Sequence, residues 1–441
     1  MVLLDYTDTF FREESVENLE RYFFLLLDEY FSSTPPNVIA LGVSGGPDSL
    51  ALTYLYLRWT QVCATHVQLV PLIVDHGIRK KSSEEALQVR QWLRHWGLSP
   101  HILQCKGVGT NQAQWRQARY RALLLACHAQ KISWLTLAHH QDDVLETVWM
   151  RQQASSEWRG KAGISSHRIQ WNIHILRPLL AWPKYTMYRI LQHLQHPWVE
   201  DPSNQAQHFF RCKARSVIKS QSLQERQALW KNILALSAQR HTESVRWYRQ
   251  THVVPFAGGY AFLWTSPCFM LPMSQGARIL SQWVLSIMPR ATPLKQAPLR
   301  ETWKTILFWK EKKATPCIIF TLGGCVGIHT PHALYCFREW GRIIPHSPPE
   351  TTLPWMWDHR FLFPTSITCR VSASGVGTKN LYQSLIPPSK DIPKYVLRWA
   401  QAAMPDCPEG TLYYPSVPCP IFSLPLGYKL DLTFSSRQEK K

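Results

Sequence analysis

The sequence predicts an α/β fold in the first part of the chain, a parallel sheet with helices on both faces. Strand-like apolar runs at 38–41, 69–74, 101–105 and 134–138 are each followed by a loop and a helical pattern. Four such repeats within about 150 residues favour a parallel sheet. Ligands of such sheets bind beyond the carboxyl ends of the strands. Residues directly after these strands are therefore the first candidates for a functional site.

The remainder of the chain predicts a helical part and then a small α+β part. Residues 205–250 have a mostly helical pattern, with nine Lys and Arg against two acidic residues. This pattern is typical of an RNA-binding face or of an ordinary solvated helix surface. Later apolar runs at 316–322, 367–372 and 428–434 resemble strands. We expect three domains: a catalytic domain at 1–220, a helical domain at 221–300 and an accessory domain at 301–441.

Composition limits the class of protein. The 441 residues include 49 Lys and Arg against 30 Asp and Glu, a net charge of +19 that favours a polyanionic partner. No apolar run is long enough to cross a bilayer, and the amino-terminal residues lack the pattern of a secretory signal, so we expect a cytoplasmic protein with no membrane partner. The 11 cysteines form no Cys-x-x-Cys pair, which argues against a zinc ribbon or a redox dithiol.

The first candidate motif is GVSGGPDS at 42–49, directly after the first strand. A glycine turn that leads into a helix presents backbone N–H groups to phosphate oxygens. The lysine that binds the β and γ phosphates in the common nucleoside-triphosphate loop is missing, and Asp48 stands near its place. The pattern Ser-Gly-Gly-x-Asp-Ser instead resembles the pyrophosphate loop (PP-loop) of the ATP pyrophosphatases, which break the α–β bond of ATP.

Further motifs narrow the resemblance. They are VDHGIR (74–79), RQARY (116–120), AHHQDDVLET (138–147), LRPLL (176–180) and WVEDPSN (198–204). In this order and spacing they resemble the tRNA(Ile)-lysidine synthase family over about residues 35–220. The chain departs from that family's pattern at Val144, at Ile78 and in RCKAR (211–215).

The resemblance implies a Rossmann-like PP-loop domain and an ATP-dependent ligase that forms a carbon–nitrogen bond. The wobble cytidine of isoleucine tRNA with a CAU anticodon would be adenylated with release of pyrophosphate, and the ε-amine of free L-lysine would then displace AMP to form lysidine. ATP and Mg²⁺ would be the cofactors. The domains at 221–300 and 301–441 would bind and recognise the tRNA, and the protein would be a monomer or a homodimer.

The same motifs predict site residues. The expected catalytic residues are Asp48, His140, Asp143 and Arg119, with His139 a further candidate for the proton acceptor that the amine requires. ATP is expected at Ser44, Gly45, Gly46, Pro47, Asp48, Ser49, Asp75 and His76, with Mg²⁺ at Asp48. Lysine is expected at Asp142 and Glu146, and RNA at Arg79, Arg116, Arg211, Lys213 and Arg215.

Other interpretations stay open at this level. The HHQDD cluster could hold the metals of a phosphohydrolase, the two arginines of RQARY could pair with acids on a helix surface, and WVEDPSN could be a capped turn. A tRNA thiolase would need a cysteine pair or an iron–sulfur cluster to carry sulfur. A small-molecule synthetase would not need the net charge. A non-catalytic RNA-binding protein would have no use for Asp48, His140 and Asp143 together.

Overall fold

A computed structural model of the chain describes residues 8–31, 34–75, 80–105, 112–171, 173–200, 210–250, 253–256, 259–288, 294–312, 317–339, 355–357, 361–363 and 411–412. The described residues up to Thr242 form one compact unit, and those from Glu243 onward form a second. The division into domains at 1–220, 221–300 and 301–441 stays a prediction.

The first unit alternates helices and strands along the chain. Its elements are α1 (Asp8–Glu13), α2 (Val16–Phe31), β1 (Val38–Val43), α3 (Pro47–Val62), β2 (Gln68–Asp75), α4 (Lys80–His95), β3 (His101–Gln104), α5 (Gln112–Ala129), β4 (Trp134–Leu137), α6 (Gln141–Gln153), α7 (Trp158–Lys161), β5 (His167–Gln170), β6 (Ile173–Leu176), α8 (Lys184–His193), α9 (Phe210–Ser220) and α10 (Leu223–Gln250), the last of which continues beyond Thr242.

The six strands form one sheet in the order β3-β2-β1-β4-β6-β5. The first five are parallel, and β5 is antiparallel to β6. The predicted α/β class with a Rossmann-like parallel sheet is confirmed. After β1 the chain fills one side of the sheet with β2 and β3 before it crosses to β4. The carboxyl ends of β1 and β4 therefore flank a topological switch point, where sheets of this kind bind ligands.

A large aromatic core fixes these strands. Tyr56 and Trp59 of α3, Phe23 and Phe31 of α2, and Trp182 are all buried within it. Burial of each such side chain contributes roughly 1.5 to 3 kcal/mol. The hydroxyl of Tyr56 lies 3.1 Å from Thr136 Oγ1, which ties α3 to β4. The core thus holds the ends of β1 and β4 side by side.

Three local features of the first unit depend on contacts that the sequence pattern does not show. Ser82 and Glu85 fit the local pattern of a helix cap, but α4 already begins at Lys80, and the Ser82 hydroxyl donates to Asp75 Oδ1 instead. The short helix α7 has no buried residue, but Ala162, directly after it, is fully buried. The antiparallel strand β5 was not predicted, because its apolar pattern is short and its partner β6 is needed to form it.

The second unit is antiparallel. It contains β7 (Val253–Phe256), β8 (Gly259–Leu263), α11 (Met273–Ile287), α12 (Gln296–Lys310), β9 (Cys317–Leu322), β10 (Cys325–His329), β11 (Ala333–Arg338), β12 (Trp355–Trp357), β13 (Phe361–Phe363) and β14 (Thr411–Leu412). One sheet has the order β7-β8-β11-β10-β9 and the other β12-β13-β14. The predicted small α+β part is confirmed, while the strands expected at 367–372 and 428–434 lie outside the described residues.

Candidate active site

The turn after β1 is shaped by two serines and two glycines. The backbone N–H of Ser44 donates to Ser49 Oγ at 3.1 Å, and the Ser49 hydroxyl donates to the Gly46 carbonyl at 3.0 Å. Gly45 has φ +83°, a conformation that L side chains rarely adopt. Gly46 is the extended cap of α3, and Pro47 opens the helix, where its missing N–H costs nothing. The result is a backbone cradle at the positive end of a 16-residue helix.

Val199 braces this turn from outside. Its backbone N–H donates to the Gly45 carbonyl at 2.9 Å. A side chain at Gly45 would place a Cβ 2.4 Å from Val89 Cγ2 and 3.1 Å from Val199 Cγ2. The described part of the WVEDPSN motif, up to Glu200, therefore supports the turn, in line with the structural interpretation of that motif.

Asp48 lies in the first turn of α3 and is 27% exposed at its side chain. Its Oδ2 atom is 3.6 Å from His140 Nε2. Its Oδ1 atom is buried and accepts no hydrogen bond from the residues that the structure describes. One carboxylate oxygen beside a phosphate cradle suits Mg²⁺, which is usually held by one or two carboxylates together with phosphate oxygens and water.

His140 caps the start of α6 and is 4% exposed. Its backbone N–H donates to Asp143 Oδ2 at 3.2 Å, and its ring Nε2 lies 3.5 Å from the same oxygen. Burial opposes a charged imidazole, but Asp143, Asp48 and Asp142 outweigh it and raise the pKa of His140 to about 9. His140 is therefore a cation at neutral pH, and its positive charge holds three carboxylates together.

His139, one residue earlier, has the opposite environment. Burial lowers the pKa of this imidazole well below its usual range, and Arg177, Arg116 and Arg119 lower it further against the single carboxylate of Asp143. The Nη2 atom of Arg116 lies 3.4 Å from His139 Nε2. His139 is thus neutral at neutral pH.

Asp143 and Glu146 form an ion-pair cluster with α9. Arg211 donates from Nη2 to Asp143 Oδ1 and from Nε to Glu146 Oε2, the latter at 2.6 Å. Arg215 Nε donates to Glu146 Oε1 at 2.8 Å. Burial raises the pKa of Asp143, but His140, His139 and Arg211 outweigh it and hold that pKa well below its usual range. Glu146 is only 3% exposed, so both residues are structural anchors of α9 as well as candidate site residues.

Two other predicted acids are engaged by the protein itself. Asp142 Oδ2 accepts the backbone N–H of Lys184 at 2.8 Å, and its Oδ1 lies 3.6 Å from Arg226 Nη2. The carboxylate of Asp75 accepts from the hydroxyls of Ser82 and Ser83, which anchors the start of α4. Their predicted contacts with lysine and with the nucleotide stay predictions.

An arginine cluster lies on the far side of His139. Arg116 and Arg119 come from α5, as the RQARY motif predicted, while Arg168 of β5 and Arg177 after β6 had no predicted role. Burial and the neighbouring Arg116 lower the pKa of Arg119. The LRPLL motif contained Arg177, but only the pairing of β5 with β6 shows that Arg168 joins it.

The remaining predicted site residues divide into two groups. Lys213 is exposed on α9, opposite the buried Ala214 and Ile218. His76 and Arg79 lie outside the described residues.

Two other kinds of feature, metal-binding clusters and membrane-spanning helices, are absent from the described residues. Across the described part of the chain, no group of three or more His, Cys, Asp or Glu is placed to hold a metal ion. Nor does any helix there have the length and apolar character needed to cross a membrane.

The site's sequence also matches known proteins. A family model described as a PP-loop domain matches residues 19–221. The tRNA(Ile)-lysidine synthase of Orientia tsutsugamushi is 28% identical over 350 residues, which cover 76% of this chain and 77% of that protein. The enzyme of that name from Ruegeria pomeroyi is 28% identical, and the match covers 75% of this chain and 78% of that protein. One from a Bradyrhizobium species is 36% identical, but that match covers only 41% of this chain and 51% of that protein.

Among solved structures, a U34-tRNA thiolase from Methanococcus maripaludis matches 51% of this chain and 80% of that chain. The identity is 15% and the TM-score 0.43, a similarity too low to support any functional argument. The PP-loop domain match at residues 19–221 includes the glycine turn after β1, so the sequence matches and the structure indicate the same kind of domain. Residues 19–221 therefore match the PP-loop domain, and the prediction that the chain resembles the tRNA(Ile)-lysidine synthases is confirmed.

Proposed function

We propose that this protein uses ATP to ligate free L-lysine onto the wobble cytidine of tRNA(Ile) with a CAU anticodon, through an adenylated cytidine. The observation that carries the proposal is the meeting of three groups at the switch point of the sheet. They are the phosphate cradle after β1, the Asp48–His140 pair between β1 and β4, and the arginine cluster beyond His139. The curated relatives that match over most of the chain carry the name of this activity.

In the first half-reaction, the cytosine oxygen attacks the α phosphate and pyrophosphate departs. The backbone N–H groups of the Ser44–Ser49 turn would bind the pyrophosphate as its charge grows. Asp48, with an unpartnered oxygen among the described residues, is the residue that would hold Mg²⁺ beside it. When bound, Mg²⁺ neutralises phosphate charge and orients the triphosphate.

His140 acts in this half-reaction as a cation. Because the pKa of His140 is raised to about 9, its imidazolium orients Asp48 through Nε2 at 3.6 Å and offers positive charge near the cradle. Asp143 keeps that imidazolium in place from 3.5 Å. His140 is thus unsuited to take a proton from the amine of lysine at neutral pH.

In the second half-reaction the ε-amine of lysine must be neutral before it attacks the activated ring carbon. His139 is the neutral imidazole of the pair and the better candidate to accept that proton. Glu146 and Asp142 stay candidates for holding the cationic ends of lysine. Because both Glu146 oxygens accept from arginines, lysine would have to displace Arg211 or Arg215 there.

Binding of RNA would use the cationic surface next to this site. Arg79, Arg116, Arg211, Lys213 and Arg215 are the proposed contacts, with Lys213 the exposed member on α9. The helical and accessory parts would recognise the rest of the tRNA. We place the protein in the cytoplasm, as a monomer or a homodimer.

The test is nucleoside mass analysis of tRNA(Ile) after incubation with purified protein, ATP and lysine. We expect one cytidine per tRNA to gain the mass of lysine less water, with one AMP released for each. A product that appears only with a sulfur donor would identify a tRNA thiolase instead. AMP release without tRNA would identify a small-molecule synthetase.

A further inference from the structure

Tyr120 stands at the centre of the arginine cluster. It lies on α5, is 7% exposed, and its hydroxyl oxygen is 3.3 Å from the Nη2 atoms of both Arg116 and Arg177. The guanidinium carbons of Arg116 and Arg168 each lie 5.1 Å from the centre of its ring. Three guanidinium groups from three different elements therefore contact one phenol.

Among the described residues, no acid balances the charge of these arginines. In the described part of the chain, no carboxylate pairs with Arg116, Arg119, Arg168 or Arg177. Asp143, which interacts electrostatically with Arg119, is already bonded to Arg211 and to His140. Arg177 is 3% exposed, and the Nε atoms of Arg168 and Arg177 are buried without a partner. Arg116 is exposed and Arg168 half-buried, but a buried cation such as Arg177 is costly without a counterion, so an anion here would stabilise the cluster.

The phenol is the group that can supply it. Burial alone would raise the pKa of Tyr120, but Arg177, Arg116 and Arg168 outweigh burial and lower that pKa to about 7. Arg119 on the same helix also interacts with the phenol, and His139 lies behind Arg116; neither group is negative.

We propose that Tyr120 is a buried tyrosinate that serves as the counterion of Arg116, Arg168 and Arg177 and holds them beside the candidate active site. Arg116 connects the two regions, because the same Nη2 atom that contacts the phenol lies 3.4 Å from His139 Nε2. Tyr120 is therefore a positioning residue that acts through Arg116. Its influence on the reaction rests on the proposed function, whereas its ionisation does not.

The direct test is the near-ultraviolet absorbance of tyrosinate in the substrate-free protein, between about pH 6 and about pH 9, where ordinary tyrosines stay protonated. We expect one ionisation per chain with a midpoint near pH 7 that is absent from Tyr120→Phe. Arg177→Gln keeps the phenol and should move the midpoint upward. Tyr54→Phe is the matched control, because burial raises the pKa of Tyr54 to about 12 and its loss leaves the signal intact.

A wild-type protein without tyrosinate absorbance in this range, or a signal that survives in Tyr120→Phe, would overturn the proposal. So would an unchanged midpoint in Arg177→Gln. As a second measurement, Tyr120→Phe should lower kcat for lysine transfer by about tenfold, the loss expected for one hydrogen bond to a charged group. If the protein transfers no lysine but the titration behaves as expected, the proposed function fails and the tyrosinate stands.

Discussion

His139 and His140 are neighbours in the chain, yet they belong to regions of opposite charge. At His140, three carboxylates outweigh burial and raise the pKa to about 9, whereas burial lowers the pKa of His139 and three arginines lower it further. The backbone at His140 is extended, with φ −124° and ψ 179°. Successive side chains of an extended backbone point to opposite sides, so one dipeptide at the end of β4 supplies both regions.

The difference between the two histidines shows how one dipeptide can supply groups for both halves of the proposed two-step reaction. The acidic side, with Asp48 and Asp143, holds a permanent imidazolium next to the phosphate cradle. The basic side keeps an imidazole neutral and able to accept a proton. Two titratable groups whose surroundings separate their pKa values are a common basis for distinct roles in one site.

The largest expected effect comes from Asp48→Ala, which removes one carboxylate from the acidic side. We expect AMP release to fall roughly 100- to 1000-fold, because the Mg²⁺ ligand and the partner of His140 are both lost. Binding of tRNA, measured by filter retention, should change little. Asp28→Ala, at an exposed position on α2, is the control. Full turnover by Asp48→Ala would show that neither Asp48 nor the turn after β1 has the proposed role in AMP release.

The two histidines can be separated by the pH dependence of stability. The pKa of His140 is raised from 6.5 to about 9, so its stabilisation is fully present below about pH 6.5 and is lost as pH rises through about 9. Relative to His140→Gln, the wild-type protein should lose about 3 kcal/mol of unfolding free energy across that window. Denaturant titrations at a series of pH values measure this.

His139→Gln should behave in the opposite sense. Because the pKa of His139 is lowered, the unfolded chain takes up the proton first and wild-type stability falls on the acid side of about pH 6.5. His139→Gln should lack that acid-side loss and match the wild type at higher pH. Equal pH profiles for the two variants would contradict the division of the dipeptide into acidic and basic sides.

Glu146→Gln tests whether the acidic side binds lysine or only anchors α9. Loss of the charge that pairs with Arg211 and Arg215 should cost about 2 kcal/mol of unfolding free energy, less than for fully buried pairs, because both arginines are partly exposed. We also expect a higher KM for lysine with the KM for ATP nearly unchanged. Glu84→Gln, at an exposed position on α4, is the control. A stability loss with no change in the lysine KM would make Glu146 purely structural.

The smallest effect is expected at Lys213 and Lys219, exposed on α9 outside the ion-pair cluster. Changing both to alanine should weaken tRNA binding severalfold and reduce the slope of log K against log salt by about one for each lost phosphate contact. Arg94→Ala, exposed on α4, should leave the slope unchanged. If the salt slope stays the same in the variant that lacks Lys213 and Lys219, the exposed face of α9 is an ordinary solvated surface.

Much of this arrangement could be predicted from sequence because it depends on local pattern. A strand followed by Ser-Gly-Gly-Pro-Asp-Ser predicts the cradle, and parallel strands bring the residues after β1 and β4 to one edge. What could not be predicted depends on distant partners. Glu146 is occupied by Arg211, 65 residues later, and Arg168 reaches Tyr120 only through the antiparallel pairing of β5 with β6. Ser82 fits a local capping pattern, but Asp75 is the partner of its hydroxyl.

The hydrogen bond from Val199 to Gly45 joins two residues that lie far apart in the sequence of the first unit. During synthesis on the ribosome, a chain that has emerged only as far as α6 already has every residue of the turn after β1. It still lacks Val199, whose backbone N–H donates to the Gly45 carbonyl. Support of the turn by this hydrogen bond thus has to await the emergence of Val199. Premature termination anywhere before that residue would leave a product that has the Ser-Gly-Gly-Pro-Asp-Ser motif but lacks this support for its turn.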